Sequence, residues 1–391
     1  MGNNRSAFRL MAYLYFAYST MTIIISYMPV YFQHHGLSGI EVGWLLAVGP
    51  FASIFAQPFW AYMSDKYKTI KRVLVVTLIG VLAAAVALFQ MNSFIGFMIM
   101  MFVLFSFMSP ITALGDSLAQ KTAQQMQGNF GRIRMWGSLG FAITSLLTGY
   151  FLAFFGIEYL WIPFLCVAFV ALIMALTVSD VKSTAKPVTL LSAVKLGIHP
   201  KLLLFLLIIL FVSITHRTND SFLGIYIVEL GGSESLIGLA WFIGVTSEAL
   251  VLATSAYWFR RFHPLTFILV AGLIYSSRWF LMGMIHDPTF TLVLQVLHGV
   301  SFGVFYICAF QFVSKLIPDH LQATGHILFI TTFFGLSGII GSLGGGWVIE
   351  EMGVTTLYLI LAGFALVGSI GILIYKVVST RMDGKKLVQN Q

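Results

Sequence analysis

The sequence predicts an all-α membrane protein in which twelve transmembrane helices form two six-helix bundles that resemble each other. Three observations predict this fold. Composition is the first, since 59% of the residues are hydrophobic and only 9% are charged. The apolar stretches run about 20 residues, the length with which a helix crosses roughly 30 Å of hydrocarbon. Basic residues, finally, recur on every second connection. Strands of a transmembrane barrel would alternate over ~10 residues, and these stretches do not alternate.

The apolar stretches define twelve spans. The first six occupy residues 8–32, 42–63, 73–90, 94–118, 132–155 and 157–178. The last six occupy residues 201–229, 236–259, 265–285, 289–316, 323–349 and 354–378. The polar stretch 179–200 therefore predicts a cytoplasmic linker between bundles at 1–178 and 201–378, with a cytoplasmic tail at 379–391. The first span has no small-residue cleavage site, so we expect it to be a retained helix and not a signal peptide.

Basic residues mark one side of the predicted bundle. All of the 22 Lys and Arg except Arg217 and Arg278 fall on alternate connections, and the intervening connections carry His and acidic residues. This is the positive-inside bias. It predicts a multi-pass protein of the cell (plasma or inner) membrane with both termini in the cytoplasm. The net charge of +8 would then face anionic lipid, so it does not indicate a nucleic-acid partner.

The two halves share a sequence pattern. Residues 43–62 and 238–257 match, with Gly43 aligned to Gly238 and Tyr62 aligned to Tyr257. Small residues in register let helices approach closely. Two six-helix bundles repeated in parallel place a substrate near the membrane midplane, at the interface between the halves.

Ionisable residues inside the spans indicate a functional site, because each costs several kcal/mol in lipid unless it is paired or hydrated. The second half supplies His216, Arg217, Asp220, Glu248, Arg278, His298 and His326. Counting 1.5 Å per residue from the outer end of each span, five of them lie about 10 to 18 Å deep. We therefore expect four spans to contribute to one polar cavity. Asp220 and Glu248 balance Arg217 and Arg278, and Arg217 and Asp220 could pair on one helix face.

A carboxylate beside an arginine stays ionised, and it gains a proton more readily when the arginine moves away. A proton-coupled carrier needs this chemistry. We assign it to Glu248, His298, Asp220 and Arg278. A purely structural pair explains Arg217 and Asp220 equally well, and packing explains His216 and His326 better. The two cysteines lie mid-span, and no nucleophile elbow, P-loop or metal-spaced cluster occurs. We therefore expect neither an enzyme nor a cofactor or metal site.

Several segments resemble the lactose permease group of the major facilitator superfamily. They are QPF at 57–59, SDK at 64–66 and FGRIRM at 130–135, with the set Glu248, Arg278 and His298. Asp116 and Arg134 also have the eighteen-residue spacing of that group's span-4 carboxylate and span-5 arginine. A closer likeness is to the phenylpropionate permease branch. It rests on LGDSLA at 114–119, RMWGS at 134–138 and LH at 297–298.

The resemblance implies the major facilitator fold and the role of each site residue. The implied substrate-binding residues are Asp116, Arg134, Phe141, Glu248, Arg278 and His298. Asp65 and Lys66 resemble the gate or domain contact after span 2. Phe141 replaces the tryptophan that stacks on galactosides, and Gln295 replaces a lysine that pairs with span 7. Ser301 replaces a carboxylate tied to proton release. Galactoside specificity therefore does not carry over, and the proton would fall to Glu248, Asp220 or His298.

These observations predict a monomeric, proton-coupled importer of a small organic solute that works by alternating access. A sugar, a nucleoside or an aromatic carboxylate would suit a cavity of paired charges and aromatic rings. The partners are this solute, protons and the bilayer. One alternative is a proton-driven exporter of drugs or metabolites, although such exporters usually carry their acidic residues in the first half. A lipid flippase would need a lateral basic groove, which the sequence leaves open.

Overall fold

The computed structural model describes residues 2–126, 129–180, 200–258, 263–317 and 321–389. Within these ranges it has twelve helices long and apolar enough to cross a membrane, and it has no strand. The predicted fold class is therefore confirmed. Most of the predicted linker 179–200, namely residues 181–199, lies outside the described residues.

The first half contains six long helices. They are α1 Gly2–His34, α2 Gly39–Lys66, α3 Ile70–Leu88, α4 Phe94–Gln125, α5 Phe130–Phe155 and α6 Trp161–Thr177. Polar caps start several of them. Before α2, the Ser38 hydroxyl accepts from the Glu41 N–H at 3.3 Å, and the Glu41 carboxylate accepts from the Ser38 N–H at 2.9 Å. This reciprocal capping box satisfies two N–H groups that a helix start otherwise leaves unpaired.

The second half repeats the arrangement. Its helices are α7 Pro200–Glu229, α8 Glu234–Trp258, α9 Pro264–Met284, α10 from Phe290 to Leu316, α11 from Gln322 to Met352, and α12 Val354–Gln389. Helix α12 continues through the predicted tail 379–391 as far as Gln389.

Two helices of the second half change their winding near the middle. Helix α10 is π-helical over Gly299–Gly303, and α11 is π-helical over Thr331–Leu336. Such π-helical turns are rare and occur frequently at functional sites. Hydropathy gives no signal for them, because it reports only the apolar length of a span.

The ends of the bundle differ in charge. We call one the acidic end, because its connections include those carrying Glu158 and Asp287. The other is the basic end, which includes the connection carrying Lys68. Across the interface between the halves, α2 packs on α11, α5 on α8, and α1 on α7. The interface therefore brings helices of both halves around a common centre.

The halves meet most closely toward the acidic end. A methyl group added at Gly43 of α2 would lie 2.6 Å from the Ser342 carbonyl oxygen of α11. One added at Gly238 of α8 would lie 2.6 Å from the Ser145 carbonyl oxygen of α5. Gly43 and Gly238 are the residues that the sequence repeat aligns. Only glycine permits backbones to approach so closely. Each half therefore contributes a close helix contact at an equivalent glycine, and these contacts close this end.

Hydrogen bonds join the halves at the same end. The Gly39 N–H at the start of α2 donates to Glu350 Oε2 of α11 at 2.6 Å. On the α1–α7 side, Gln33 Nε2 donates to Glu229 Oε1 at 3.1 Å. The structure therefore represents a conformation in which the acidic end is closed.

Candidate functional site

The first polar group of the interior joins α4 to α5. Arg134 Nε lies 3.0 Å from Asp116 Oδ1. The Tyr18 hydroxyl of α1 donates to Asp116 Oδ2 at 2.8 Å, and the Arg134 guanidinium lies 4.0 Å from the centre of the Tyr18 ring. The side chains of Arg134 and Asp116 remain 29% and 32% exposed, so a solute can reach the pair.

The structure corrects the predicted ends of spans 4 and 5, and with them the depth of this pair. Hydropathy ends span 4 at 118 and begins span 5 at 132, which places the pair near the cytoplasmic end unless the two spans extend into 119–131. Helix α4 instead runs to Gln125, and α5 begins at Phe130. Asp116 is nine residues (125 minus 116) before the end of its helix, or about 13 Å at 1.5 Å per residue. The pair therefore lies within the bundle.

The second polar group joins α8, α9 and α10. Glu248 Oε2 lies 3.9 Å from His298 Nε2. On the other side of the imidazole, Arg278 Nη1 lies 3.4 Å from His298 Nδ1 and 3.4 Å from the Ser301 hydroxyl. Arg278 Nη2 donates to Gln295 Oε1 at 2.6 Å. Glu248, His298 and Arg278, which the sequence predicts to converge, therefore form one chain of contacts.

Arg278 determines which nitrogen of His298 carries the proton. A guanidinium only donates hydrogen bonds, so His298 Nδ1 must accept, and a neutral ring then carries its proton on Nε2, facing Glu248. Arg278 itself is 0% exposed, and its guanidinium lies 4.6 Å from the centre of the Trp279 ring. In this conformation Arg278 orients His298, and its predicted contact with substrate stays a prediction.

The third polar group lies on α7. Arg217 Nη1 donates to Asp220 Oδ2 at 2.8 Å, the pairing that the three-residue spacing suggests. His216 Nε2 lies 3.4 Å from the same oxygen. The His216 ring stacks on Phe302 with centres 4.2 Å apart and lies 5.8 Å from Phe333. These two phenylalanines belong to the π-helical turns of α10 and α11, so His216 contacts both.

Glu248 is placed between the other two groups. It is close enough to Arg134, in the other half, and to Asp220 to interact with both electrostatically. In the described ranges, however, Glu248 forms no ion pair with a lysine or arginine, whereas Asp116 and Asp220 each have an arginine partner. Glu248 is therefore the carboxylate of this set whose negative charge is least compensated.

Two aromatic rings lie between the halves near this centre. Phe141 of α5 contacts Trp241 of α8 with ring centres 5.5 Å apart. Each ring is seven residues, or about two helical turns, from Arg134 or Glu248 on the side of the acidic end. The rings thus separate the charged centre from the closed end. Sequence resemblance selects Phe141 but does not reveal this contact with Trp241.

Asp65 and Lys66 occupy the last turn of α2, at the basic end. Lys66 Nζ lies 5.9 Å and 5.7 Å from the ring centres of Tyr62 and Tyr67. Their predicted role as a gate concerns a conformation in which the basic end closes, and it stays a prediction.

A cavity of about 340 Å³ opens among α1, α2, α4, α7 and α11. Its walls are largely apolar, with Ile24 and Phe105 from the first half and Phe334 from the second. Arg217 and Asp220 provide its charged part. None of the six residues predicted to bind substrate lines this cavity, so its walls are formed by other residues than the centre around Arg134 and Glu248.

Sequence reasoning missed two features of the site. Tyr18 is one of several tyrosines on α1, and only the rotation of that helix places its hydroxyl on Asp116. His216 was assigned to packing, although it lies beside Asp220. Among the described residues, no group of three or more His, Cys, Asp and Glu side chains is placed to hold a metal ion.

Comparison with known proteins identifies the family. Residues 7–360 match the model of the MFS_1 like family. The maltose permease of Geobacillus stearothermophilus is 29% identical over 367 residues, which cover 92% of this chain and 91% of that protein. The probable 3-phenylpropionic acid transporter of Escherichia coli (strain K12) is 25% identical over 370 residues, covering 90% and 96%. Both relatives are transporters and not enzymes.

A solved structure supports the same fold. The crystal structure of the nucleoside transporter NupG superposes with a TM-score of 0.83, covering 94% of this chain and 98% of that chain at 16% identity. Twelve apolar helices, two related halves and a family model that spans most of the sequence agree with one another. This protein is a multi-pass membrane transporter and belongs to the MFS_1 like family of the major facilitator superfamily.

Proposed function

We propose that the protein is a proton-coupled symporter that imports a small uncharged organic solute, such as a sugar or a nucleoside. Alternating access would come from rocking of the halves 1–178 and 201–378 about the central site. Since both halves of the site belong to one chain, the working unit is a monomer. The observation that carries the proposal is the placement of Glu248.

Glu248 is the proposed proton carrier. A charged group in a low-dielectric interior is stable only when a partner compensates it. Asp116 and Asp220 have arginine partners, whereas Glu248 faces the imidazole of His298 at 3.9 Å. A proton on Glu248 would remove the uncompensated charge, and the side chain remains 25% exposed, so a proton can reach it.

Arg134 links the proton to the solute. It is bound to Asp116 and also acts electrostatically on Glu248 in the other half. A solute whose hydroxyls bind Asp116 and Arg134 would change the electrostatic field at Glu248. The proton affinity of Glu248 would change with it. The binding of the solute and the binding of the proton would then depend on each other, as symport requires.

Charge balance favours an uncharged solute. Arg134 and Arg217 are each already paired with a carboxylate, that of Asp116 and that of Asp220. Arg278 is 0% exposed and contacts Gln295 and His298. An anionic substrate would have to displace a carboxylate from its arginine and leave that carboxylate unpaired. The likeness to a maltose permease supports this proposal. The likeness to a probable 3-phenylpropionic acid transporter supports the competing one, an aromatic carboxylate.

Transport of a small panel tests the proposal. Cells producing the protein would receive maltose, uridine or 3-phenylpropionate while uptake and the pH of a weakly buffered medium are recorded. Uptake of an uncharged solute with alkalinisation of the medium is the expected result. Uptake without any pH change would reject proton coupling, and efflux accompanied by proton entry would support the exporter. Transport of 3-phenylpropionate alone would reject the uncharged solute.

The basic end is proposed to face the cytoplasm, because positively charged connections stay on that side. A protease-cleavable tag at either terminus should therefore resist protease added to intact cells and be removed once the cells are opened. Cleavage of either tag in intact cells would contradict the proposed orientation.

Substitutions in the α4–α5 pair should weaken solute binding. Asp116→Ala and Arg134→Ala each leave one charge of a partly buried pair without its partner, which costs about 3–5 kcal/mol where such a pair is fully buried. We expect at least a tenfold loss of affinity in calorimetric titrations. Tyr18→Phe is the milder comparison, because it removes one 2.8 Å hydrogen bond and keeps the ring under the guanidinium. Wild-type affinity in both alanine variants would exclude the pair from the binding site.

A further inference from the structure

We propose that the cavity between α1, α2, α4, α7 and α11 is a second substrate subsite. Here Arg217, Asp220 and the π-helical turn Thr331–Leu336 of α11 hold one ring of an uncharged two-ring solute. The other ring would lie at Asp116 and Arg134. This inference rests on the proposed transport of an uncharged solute, and it extends the binding site to residues that the sequence did not assign to substrate.

The size and lining of the cavity suit a ligand. Its volume of about 340 Å³ falls in the range of small-molecule sites, which are mostly apolar with a few placed polar groups. Both halves of the protein contribute to its walls, Gln57 and Phe105 from the first and Arg217 and Phe334 from the second. A ligand in this position would therefore contact both bodies that move during alternating access.

The charged pair in the cavity retains unused hydrogen-bonding capacity. A guanidinium has five N–H donors, and a carboxylate accepts on both oxygens. Arg217 Nη1 and His216 Nε2 both lie next to Asp220 Oδ2. Among the described residues, neither Asp220 Oδ1 nor Arg217 Nε has a hydrogen-bond partner. A hydroxyl or an amide edge, which donates and accepts at neighbouring atoms, is the chemistry that would satisfy both groups after a small shift.

Charge determines the class of ligand. Arg217 and Asp220 neutralise each other at 2.8 Å, so an ionic ligand would compete with one partner and leave the other unpaired in a mostly apolar cavity. An uncharged ring with polar substituents meets no such penalty. The Arg217 guanidinium also lies 5.7 Å from the centre of the Phe334 ring, which gives the cavity an apolar face for a ring to lie on.

The wall of the cavity includes an unusual piece of backbone. Thr331, Phe334 and Gly335 line the cavity, and all three belong to the π-helical turn of α11. Since π-helical turns recur at functional sites, this turn and the intramembrane ion pair are independent indications of one site. His216 adds a positioning contact, because it stacks on Phe302 of the other π-helical turn and lies beside Asp220.

The two subsites adjoin each other. Met21 lines the cavity, and Tyr18, whose hydroxyl donates to Asp116, lies about one turn earlier on the same helix. On the α7 side, the His216 ring beside Asp220 has its centre 5.7 Å from that of His298, which contacts Glu248. The charged groups therefore run from the cavity to the α4–α5 pair. A solute with two linked rings could place one ring at each end, whereas a single ring would occupy only one.

Gly335→Leu tests the subsite by filling it. A methyl group added at Gly335 would meet only the Thr331 Cγ2 atom, at 3.7 Å, so a larger side chain has room to project from the π-helical turn. Purified protein would be titrated calorimetrically with maltose and uridine as two-ring probes and with glucose as a one-ring probe. For the two-ring probe that the wild type binds, we expect Gly335→Leu to lower the affinity at least tenfold. The titration with glucose should be unchanged.

Gly344→Leu is the matched control, because it makes the same change on the same helix at a position with open space around it, outside the cavity. It should bind as the wild type does. If Gly335→Leu fails to fold, Ser53→Leu fills the cavity from α2. The Ser53 hydroxyl donates to the Gly49 carbonyl of its own helix at 2.8 Å, so its loss breaks no contact between helices within the described ranges.

Three outcomes would overturn the subsite. One is the absence of maltose and uridine binding to the wild type, and another is wild-type affinity in the cavity-filling variant. The third is an equal loss of affinity for glucose and the two-ring probe. Failure of the proposed symport would give a different result. Binding of the two-ring probe would still depend on Gly335, but transport would occur without alkalinisation of the medium.

Discussion

Replacing Glu248 with glutamine should abolish proton-driven accumulation of the solute, while exchange of solute down its own gradient continues. Glutamine keeps the length and most of the hydrogen bonding of glutamate, but it cannot take up or release a proton. The contact with His298 at 3.9 Å can be kept, because the amide oxygen can face the Nε2–H. The inside-to-outside ratio of solute should fall to about one, and alkalinisation of the medium should disappear. Radiolabelled uptake with simultaneous pH recording measures both.

The effect should be specific to this carboxylate. Glu351→Gln makes the same change at an exposed position at the acidic end, and it should leave accumulation intact. Asp116→Asn should behave in a third way, because this side chain is bound to Arg134 and Tyr18. Loss of its negative charge should lower the affinity for the solute more than it changes the coupling to protons. Accumulation and alkalinisation at the wild-type level in Glu248→Gln would remove Glu248 from the coupling mechanism.

Much of the fold follows from the sequence, because a bilayer restricts the possibilities. The length of the apolar stretches predicts the helices. The alternation of basic and acidic connections predicts which way each helix crosses the membrane. The predicted end of span 4 at 118 falls seven residues (125 minus 118) short of Gln125, since hydropathy averages all faces of a helix. Beyond residue 118, Ala119 and Ala123 of α4 are 0% and 3% exposed, with Gln120 and Lys121 between them. Packing on the buried face extends the helix although its mean hydropathy falls.

The sequence predicts the depth of the candidate site in the membrane but not the contacts within it. Helical rise places Glu248, Arg278 and His298 at similar depths, and the structure brings them into one chain of contacts. Which charge faces which depends on helix rotation, which a sequence does not specify. Arg278 is thus 0% exposed where an accessible side chain was expected. The cavity beside Arg217 depends on a π-helical turn that has no sequence signal.

Gly43→Leu and Gly238→Leu, alone and combined, should hold the acidic end open and stop transport. A methyl group at either position would lie 2.6 Å from a carbonyl oxygen of the opposing helix, and backbone cannot yield as a flexible side chain does. The closed acidic end therefore loses stability relative to the open one, with little change inside either half. Because the conformations of such a transporter differ by a few kcal/mol, two clashes of this kind should shift nearly the whole population.

Labelling from outside the cell measures this shift. Ser221→Cys places a thiol in the wall of the cavity, and Cys166→Ser removes the exposed natural thiol while Cys308 stays buried. A membrane-impermeant maleimide should label position 221 slowly in this background and at least tenfold faster when both leucines are present. Gly363→Leu, where the added group meets open space, should leave labelling and transport unchanged. Because Gly43 and Gly238 occupy equivalent places in the two halves, the single variants should give similar intermediate rates. Slow labelling in the double variant would mean that these contacts do not control access from the acidic end.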